Sequence, residues 1–434
     1  MSRFTTRRLT AVTAIGAVMT LVVAVPFGAW AQQNDRGGML FQLRLAERFQ
    51  TRDSTSPDPD ENGTTNQFIT DLDLSFSSET RTEAISLDFG AGYRLADGPT
   101  TDGFVGTLAS PTLSLSYSQD AATASLDVTV TASQVQLSEV SPLDVSTSED
   151  RPLASDFAEL TDGGTRQQIG FDARLSLRDD APFGLIFGLG ANDISFTDLP
   201  AGSGLQDRSS LRLTTTGRFD VTKVLQVRAG LQYDFIERDG EDEIERFGFN
   251  GRAVLTRPDG NYRVLGNFAD GDGGAQAALT FGRRIERPNL EADFALGMTR
   301  SAEETLIATG SARFAYEFGP ESALGTVTAT ADRDVSFASG SEEEIVTSLS
   351  LASSYAISPL ASLSASAQLA QSEGVVTGDT VDLAQAGVNF RYDFAQDWRA
   401  TAGVTADWRD PSDDASSEST TISLTVSRSF DLRR

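Results

Sequence analysis

From Met39 to Phe430 the chain keeps a two-residue rhythm. Apolar residues stand at every second position, with Ser, Thr, Gly, Asp or Arg between them. In 67–78, Phe68, Leu72, Leu74 and Phe76 fall on one parity and Asp71, Asp73 and Ser75 on the other. In 85–94, Ile85, Leu87, Phe89, Ala91 and Tyr93 alternate with Ser86, Asp88, Gly90, Gly92 and Arg94. Successive side chains of an extended strand point to opposite faces, so this period predicts strands with one greasy and one wet face. It argues equally against amphipathic helices, whose apolar residues recur at three- and four-residue steps.

Twenty such segments can be drawn, with 18 to 22 allowed by the uncertainty of their ends. They are 39–50, 67–78, 85–94, 111–119, 122–137, 166–178, 183–197, 209–220, 223–237, 244–257, 261–269, 275–285, 290–300, 304–318, 323–337, 343–357, 361–372, 380–394, 398–409 and 418–430. Connectors alternate between tight turns, such as 79–82, 220–223 and 286–289, and longer, more acidic loops, such as 51–66, 138–165 and 410–417. A β-sandwich shows the same period with its apolar face turned inward. It has no reason to sort its loops by length, whereas a membrane barrel has short periplasmic turns and long external loops. No stretch after residue 31 supplies the roughly 20 apolar residues a spanning helix needs, and closed barrels are the other structure that satisfies every backbone group in lipid. The expected fold is therefore all-β: an antiparallel transmembrane β-barrel of about 20 strands, short-turned on the periplasmic side and longer-looped outside.

The first 31 residues read differently. Arg3, Arg7 and Arg8 precede an apolar stretch from Leu9 to about Val25, and Ala29-Trp30-Ala31 offers a small-x-small cleavage site. This is the pattern of an export signal, which leaves 32–434 as a single barrel domain.

Composition removes whole classes of chemistry. The chain has no cysteine, no histidine and a single lysine, Lys223. Thiol catalysis, Ser-His mechanisms and His- or Cys-ligated zinc are excluded, and an enzyme is not expected. The formal charge of −27 argues against nucleic acid as a partner and favours cations.

In a barrel the wet parity lines the lumen. The candidate lining set is Asp71, Asp73, Asp88, Arg94, Asp127, Asp172, Arg174, Arg228, Asp234, Arg252, Asp293, Arg313, Asp332, Asp382, Arg391 and Arg409, with Asp334 and Asp407 on the same pattern. Opposed charges on such a wall set up a field that tunes ion preference. Aromatics cluster where strands meet tight turns, and Phe318, Tyr355, Phe394, Trp398, Trp408 and Phe430 are the candidate interfacial girdle. Loop 51–66 contains Asp58, Asp60, Asn62 and Gly63, the first half of a calcium loop, but Ile69 stands where the bidentate Glu belongs. Calcium at Asp58, Asp60 and Asn62 is the one candidate metal site, and no cofactor is expected. Loop 138–165 mixes acids with Val140, Leu143, Leu153, Phe157 and Leu160, so it is expected to pack, either into the barrel mouth or as a lid outside it.

With signal, hairpin run and the closing segment TTISLTVSRSF in hand, the chain resembles the outer-membrane β-barrel proteins of Gram-negative bacteria, in particular the porin-like barrels. It departs from them at the end, where Asp-Leu-Arg-Arg follows Phe430 in place of a terminal aromatic. The resemblance implies an outer-membrane location and contact with lipid, lipopolysaccharide and the barrel-assembly machinery. It also implies passive passage of small hydrophilic solutes or ions. A homo-oligomer would need a flat apolar sector on the wall. The expected function is a porin-like channel, cation-preferring from its charge. The alternatives are a non-conducting structural or export-associated barrel and a secreted soluble β-repeat protein.

Overall fold

A β-strand with an unpaired edge leaves a row of N–H and C=O groups without partners, and in lipid no water is present to take them. This chain solves the problem by closure. The computed structural model describes residues 38–55, 62–99, 103–137, 164–178, 181–199, 205–240, 243–272, 274–320, 324–337, 343–375, 378–412 and 416–433. The signal reading at 1–31 and most of loop 138–165 lie outside them.

The first five strands are β1 (Gly38–Thr55), β2 (Gly63–Glu79), β3 (Glu83–Asp97), β4 (Val105–Ala121) and β5 (Ala124–Gln136). Next come β6 (Thr165–Leu177), β7 (Phe183–Thr197), β8 (Arg208–Asp220), β9 (Leu225–Arg238) and β10 (Ile244–Arg257). They are followed by β11 (Gly260–Gly271), β12 (Gln276–Arg287), β13 (Leu290–Arg300), β14 (Leu306–Phe318) and β15 (Gly325–Phe337). The last five are β16 (Glu343–Ser358), β17 (Ala361–Gly374), β18 (Thr380–Ala395), β19 (Trp398–Pro411) and β20 (Ser417–Arg433). All 20 join one sheet, each paired antiparallel with its sequence neighbour. β1 then pairs with β20 from Leu40 opposite Arg433 to Thr55 opposite Glu418, which closes the barrel. Both ends of the strand run lie on the short-turn side.

The tight turns are built by hydroxyl side chains. At the β2–β3 turn, Thr80 N–H donates to the Glu83 carbonyl at 2.7 Å, and Glu83 N–H donates back to Thr80 Oγ1 at 3.0 Å. Thr222 repeats this with Leu225, and Ser358 Oγ accepts from Ala361 N–H at 3.1 Å. A Ser or Thr that bonds backbone two or three residues on fixes the reversal locally. Between β10 and β11 the reversal needs Gly260, whose φ of +129° is closed to ordinary side chains.

The strands outrun the sequence reading at the long-loop end. β1 continues to Thr55 and β2 starts at Gly63, so most of the expected loop 51–66 is a paired ladder. β4 likewise starts at Val105 and not at 111. The reason is visible in the side chains: Thr51 Oγ1 donates to Asn66 at 3.0 Å and Thr64 Oγ1 to Asp53 at 3.3 Å. Polar cross-strand pairs extend the ladder past the apolar alternation that a sequence reader follows.

The greasy parity faces out. Leu296 is 75% exposed, Phe281 59% and Ile422 57%, and dozens of other large apolar side chains share this surface. A water-soluble protein does not leave a continuous apolar wall of that kind; it is a lipid-facing belt. Stacked aromatics border it at the short-turn end. Phe314, Tyr316, Phe318 and Tyr355 stack in series at 6.3–6.4 Å. Tyr392, Phe394 and Trp398 form a second series, and the Arg428 guanidinium lies 4.4 Å from the Phe430 ring and 5.3 Å from that of Trp398. Trp408 stands at the other end of β19, opposite Glu418. No helix among the described residues is long and apolar enough to cross a membrane; the crossing elements are strands.

Candidate pore lining

Register transmits one strand's parity to the whole wall, so the inward set can be followed from strand to strand. On β1 to β3 it is acid against base. Arg48 pairs with Asp71 at 2.6 Å and Arg44 with Asp73 at 3.8 Å, while Ser75 donates to Asp88. Arg94 lies deeper, 8% exposed, and donates to Gln136.

Across β5 to β10 the inward residues form rows. One runs Asp127, Arg174, Gly188, Thr214, Gln232. The row beyond it, toward the long loops, runs Thr129, Asp172, Gly190, Arg212, Asp234, Arg246. There Arg212 pairs with Asp234 at 2.8 Å. Toward the short turns, Arg218, Arg228 and Arg252 stand directly opposite one another on β8, β9 and β10. Like charges so placed repel. Arg228 lies in the field of Arg252, Arg174 and Arg218, with Asp220 the acid in reach. The wall of β6 to β10 is thus arginine-rich, although the whole chain is acidic; net charge does not describe this surface.

Further round, Arg263 grips Asp293 with both terminal guanidinium nitrogens. Arg313 is the cross-strand partner of Asp293 on the far side. Asp332 faces Ser348. Arg391 pairs with Asp393 at 3.0 Å, and Arg399 reaches the same carboxylate at 2.8 Å. Gln385 donates to Asp407 at 2.7 Å, and Arg409 shares the Asp407 face.

Asp382 departs from the sequence reading. Its partner is Gln371, which donates to it at 2.9 Å, and both share the outer face with Leu369. The cause is local. In TVDLAQ the apolar residues Val381 and Leu383 take the inward parity and are 8% and 5% exposed, so the acid between them turns out. On 39–50 the alternation already turns Arg44 and Arg48 inward, whereas Arg212, Arg218, Arg263, Asp393 and Arg399 lie outside the candidate set read from the sequence. Strict parity would have found most of them: Arg263 alternates with Tyr262 and Val264, and Arg212 with Leu211 and Leu213.

At the long-loop end the β13–β14 turn is tied to β16. Glu343, 5% exposed, accepts from Ala302 N–H at 2.8 Å and from the Gln276 amide at 3.4 Å. Ile307, Val335 and Ile345 pack together beside it with Val375. For the candidate calcium loop, Asp58 and Asp60 lie outside the described residues. Among the described residues no three His, Cys, Asp or Glu side chains are grouped to hold a metal ion.

No family model and no curated protein matches the chain. Solved structures do. The siderophore receptor PirA from Acinetobacter baumannii matches at a TM-score of 0.51 and 8% identity, over 92% of this chain and 81% of that one. OpdK from Pseudomonas aeruginosa, solved with vanillate, gives 0.40 at 12% identity, over 91% of this chain and 99% of its own. A BenF-like porin from Pseudomonas fluorescens Pf-5 gives 0.42 at 14% identity, with coverage of 91% and 99%. At such identities the likeness is one of fold. With 20 strands closed on themselves, an apolar outer belt and a polar, charged interior, this chain is by architecture an outer-membrane β-barrel of the Gram-negative type.

Proposed function

We propose that the protein is a porin-like channel that passes small hydrophilic solutes and ions by passive diffusion. The observation that carries this reading is the inward parity itself. Row after row presents Ser, Thr, Gly, Asp and Arg to the lumen, and a 20-stranded barrel is wide enough to hold water. Ion preference follows from the wall and from the entrance separately. Acidic residues at the long-loop ends of the strands, such as Asp239 and Glu243, gather cations at that mouth, while Arg218, Arg228 and Arg252 oppose them inside. A weak net preference is the expected result, in place of the cation selectivity that the charge of −27 suggests.

The export signal at 1–31 and the single-domain extent 32–434 belong to the same proposal, as do lipid, lipopolysaccharide and the assembly machinery as surroundings. The test is conductance of the detergent-folded chain in a planar bilayer, with the reversal potential read under a salt gradient. Stable open steps with a small reversal potential support the channel. A folded barrel that never conducts refutes it and leaves a structural or export-associated role.

A further inference from the structure

The glycines of β7 border a recess in the lumenal wall. Gly188 and Gly190 face inward with no side chain, and a recess of about 470 Å³ lies between the flanking strands. Small-solute sites fall in this size range. Its charged lining is Asp127 and Asp172 with Arg174, Arg212 and Arg228. Arg212 is already paired with Asp234. Asp127 and Arg174 are cross-strand neighbours of opposite charge, yet among the described residues neither makes a side-chain hydrogen bond or an ion pair. Two complementary charges therefore stand side by side, each open to a ligand.

The signs decide what fits. A solute carrying only a carboxylate meets Arg174 and Arg228 but is repelled by Asp127 and Asp172. A solute carrying only an ammonium meets the converse. A molecule with both groups on one carbon presents opposite charges a few ångströms apart, which is commensurate with the spacing of about 5 Å between neighbouring strands. We propose that this recess binds a small zwitterion of the α-amino-acid type, its carboxylate on Arg174 and Arg228 and its ammonium on Asp127 and Asp172. Over the bare backbone of Gly188 and Gly190 lean the Thr214 hydroxyl and the Asp172 carboxylate, which brings both polar groups to the edge of the recess. The inference rests on the lumen admitting solutes, as the channel reading holds.

The experiment is saturation-transfer NMR of L-alanine, acetate and ethylammonium on the detergent-folded barrel, with bilayer conductance measured in parallel. Saturable alanine binding is expected, with acetate and ethylammonium at least ten-fold weaker. Asp127→Asn and Arg174→Gln should each weaken alanine at least ten-fold while the strand signal in circular dichroism is unchanged. Acetate binding as well as alanine would reduce the recess to an oxyanion site and overturn the proposal. So would alanine binding that both variants retain, or none at all in the parent. Conductance without alanine binding sinks this inference alone, and alanine binding without conductance sinks the channel reading alone.

Discussion

Inside and outside are the distinction on which everything else depends, and one pair of substitutions tests it. Leu296 sits mid-strand on β13, 75% exposed on the outer wall and flanked by Phe281 and Gly310. Thr328 sits mid-strand on β15 with the inward parity, opposite Ala315 and Ala352. Leu296→Arg puts a guanidinium into hydrocarbon. For a lipid-facing position near the bilayer midplane this costs about 2–4 kcal/mol. At 1.4 kcal/mol per decade that is roughly a 30- to 700-fold shift in the folding equilibrium, a large share of any domain's stability. Thr328→Arg puts the same group into lumenal water between two alanines, and its cost should stay within about 1 kcal/mol, since lumen substitutions alter selectivity more than stability. The assay is equilibrium urea unfolding in phospholipid vesicles, followed by Trp fluorescence, with both variants against the parent. If Leu296→Arg costs no more than Thr328→Arg, the greasy face meets water and not hydrocarbon, and the membrane assignment is wrong.

Asp293→Asn should cost about 1–3 kcal/mol in the same assay, because it weakens the hold on Arg263, whose side chain is only 16% exposed; a neutral result would mean water satisfies that guanidinium. Gly260→Ala should destabilise by about 1–3 kcal/mol, since φ is +129° there and an added Cβ meets the Arg284 carbonyl; unchanged unfolding would show that the β10–β11 turn re-forms at little cost. At the same turn, the hydrogen bond from Arg283 holds the Asp259 carboxyl below the usual carboxylate range. A lowered folded-state value contributes stability above the unfolded-state value and loses it as pH falls through the folded one. Asp259→Asn should therefore flatten the acid limb of the stability–pH profile, and an unaltered limb would refute that role.

The sequence by itself determined the class of structure. Period-two alternation, an even run of hairpins and sorted loop lengths leave a closed antiparallel barrel as the arrangement that satisfies every strand edge, and the strand number follows from counting. It also determined which chemistry is absent, because no His and no Cys are present to perform it. Strand ends were less legible: polar pairs such as Thr51 with Asn66 extend the ladder without any apolar signal. Asp382 turned outward because parity is a property of the strand and not of the residue, and Val381 and Leu383 hold the inward positions. What only the tertiary structure decided is which charges meet. Arg218, Arg228 and Arg252 are far apart in sequence and share a row only because the registers of β8, β9 and β10 align them. The recess at Gly188 and Gly190 exists for the same reason: inter-strand register sets which side chains stand beside a bare backbone, and no local pattern encodes that alignment.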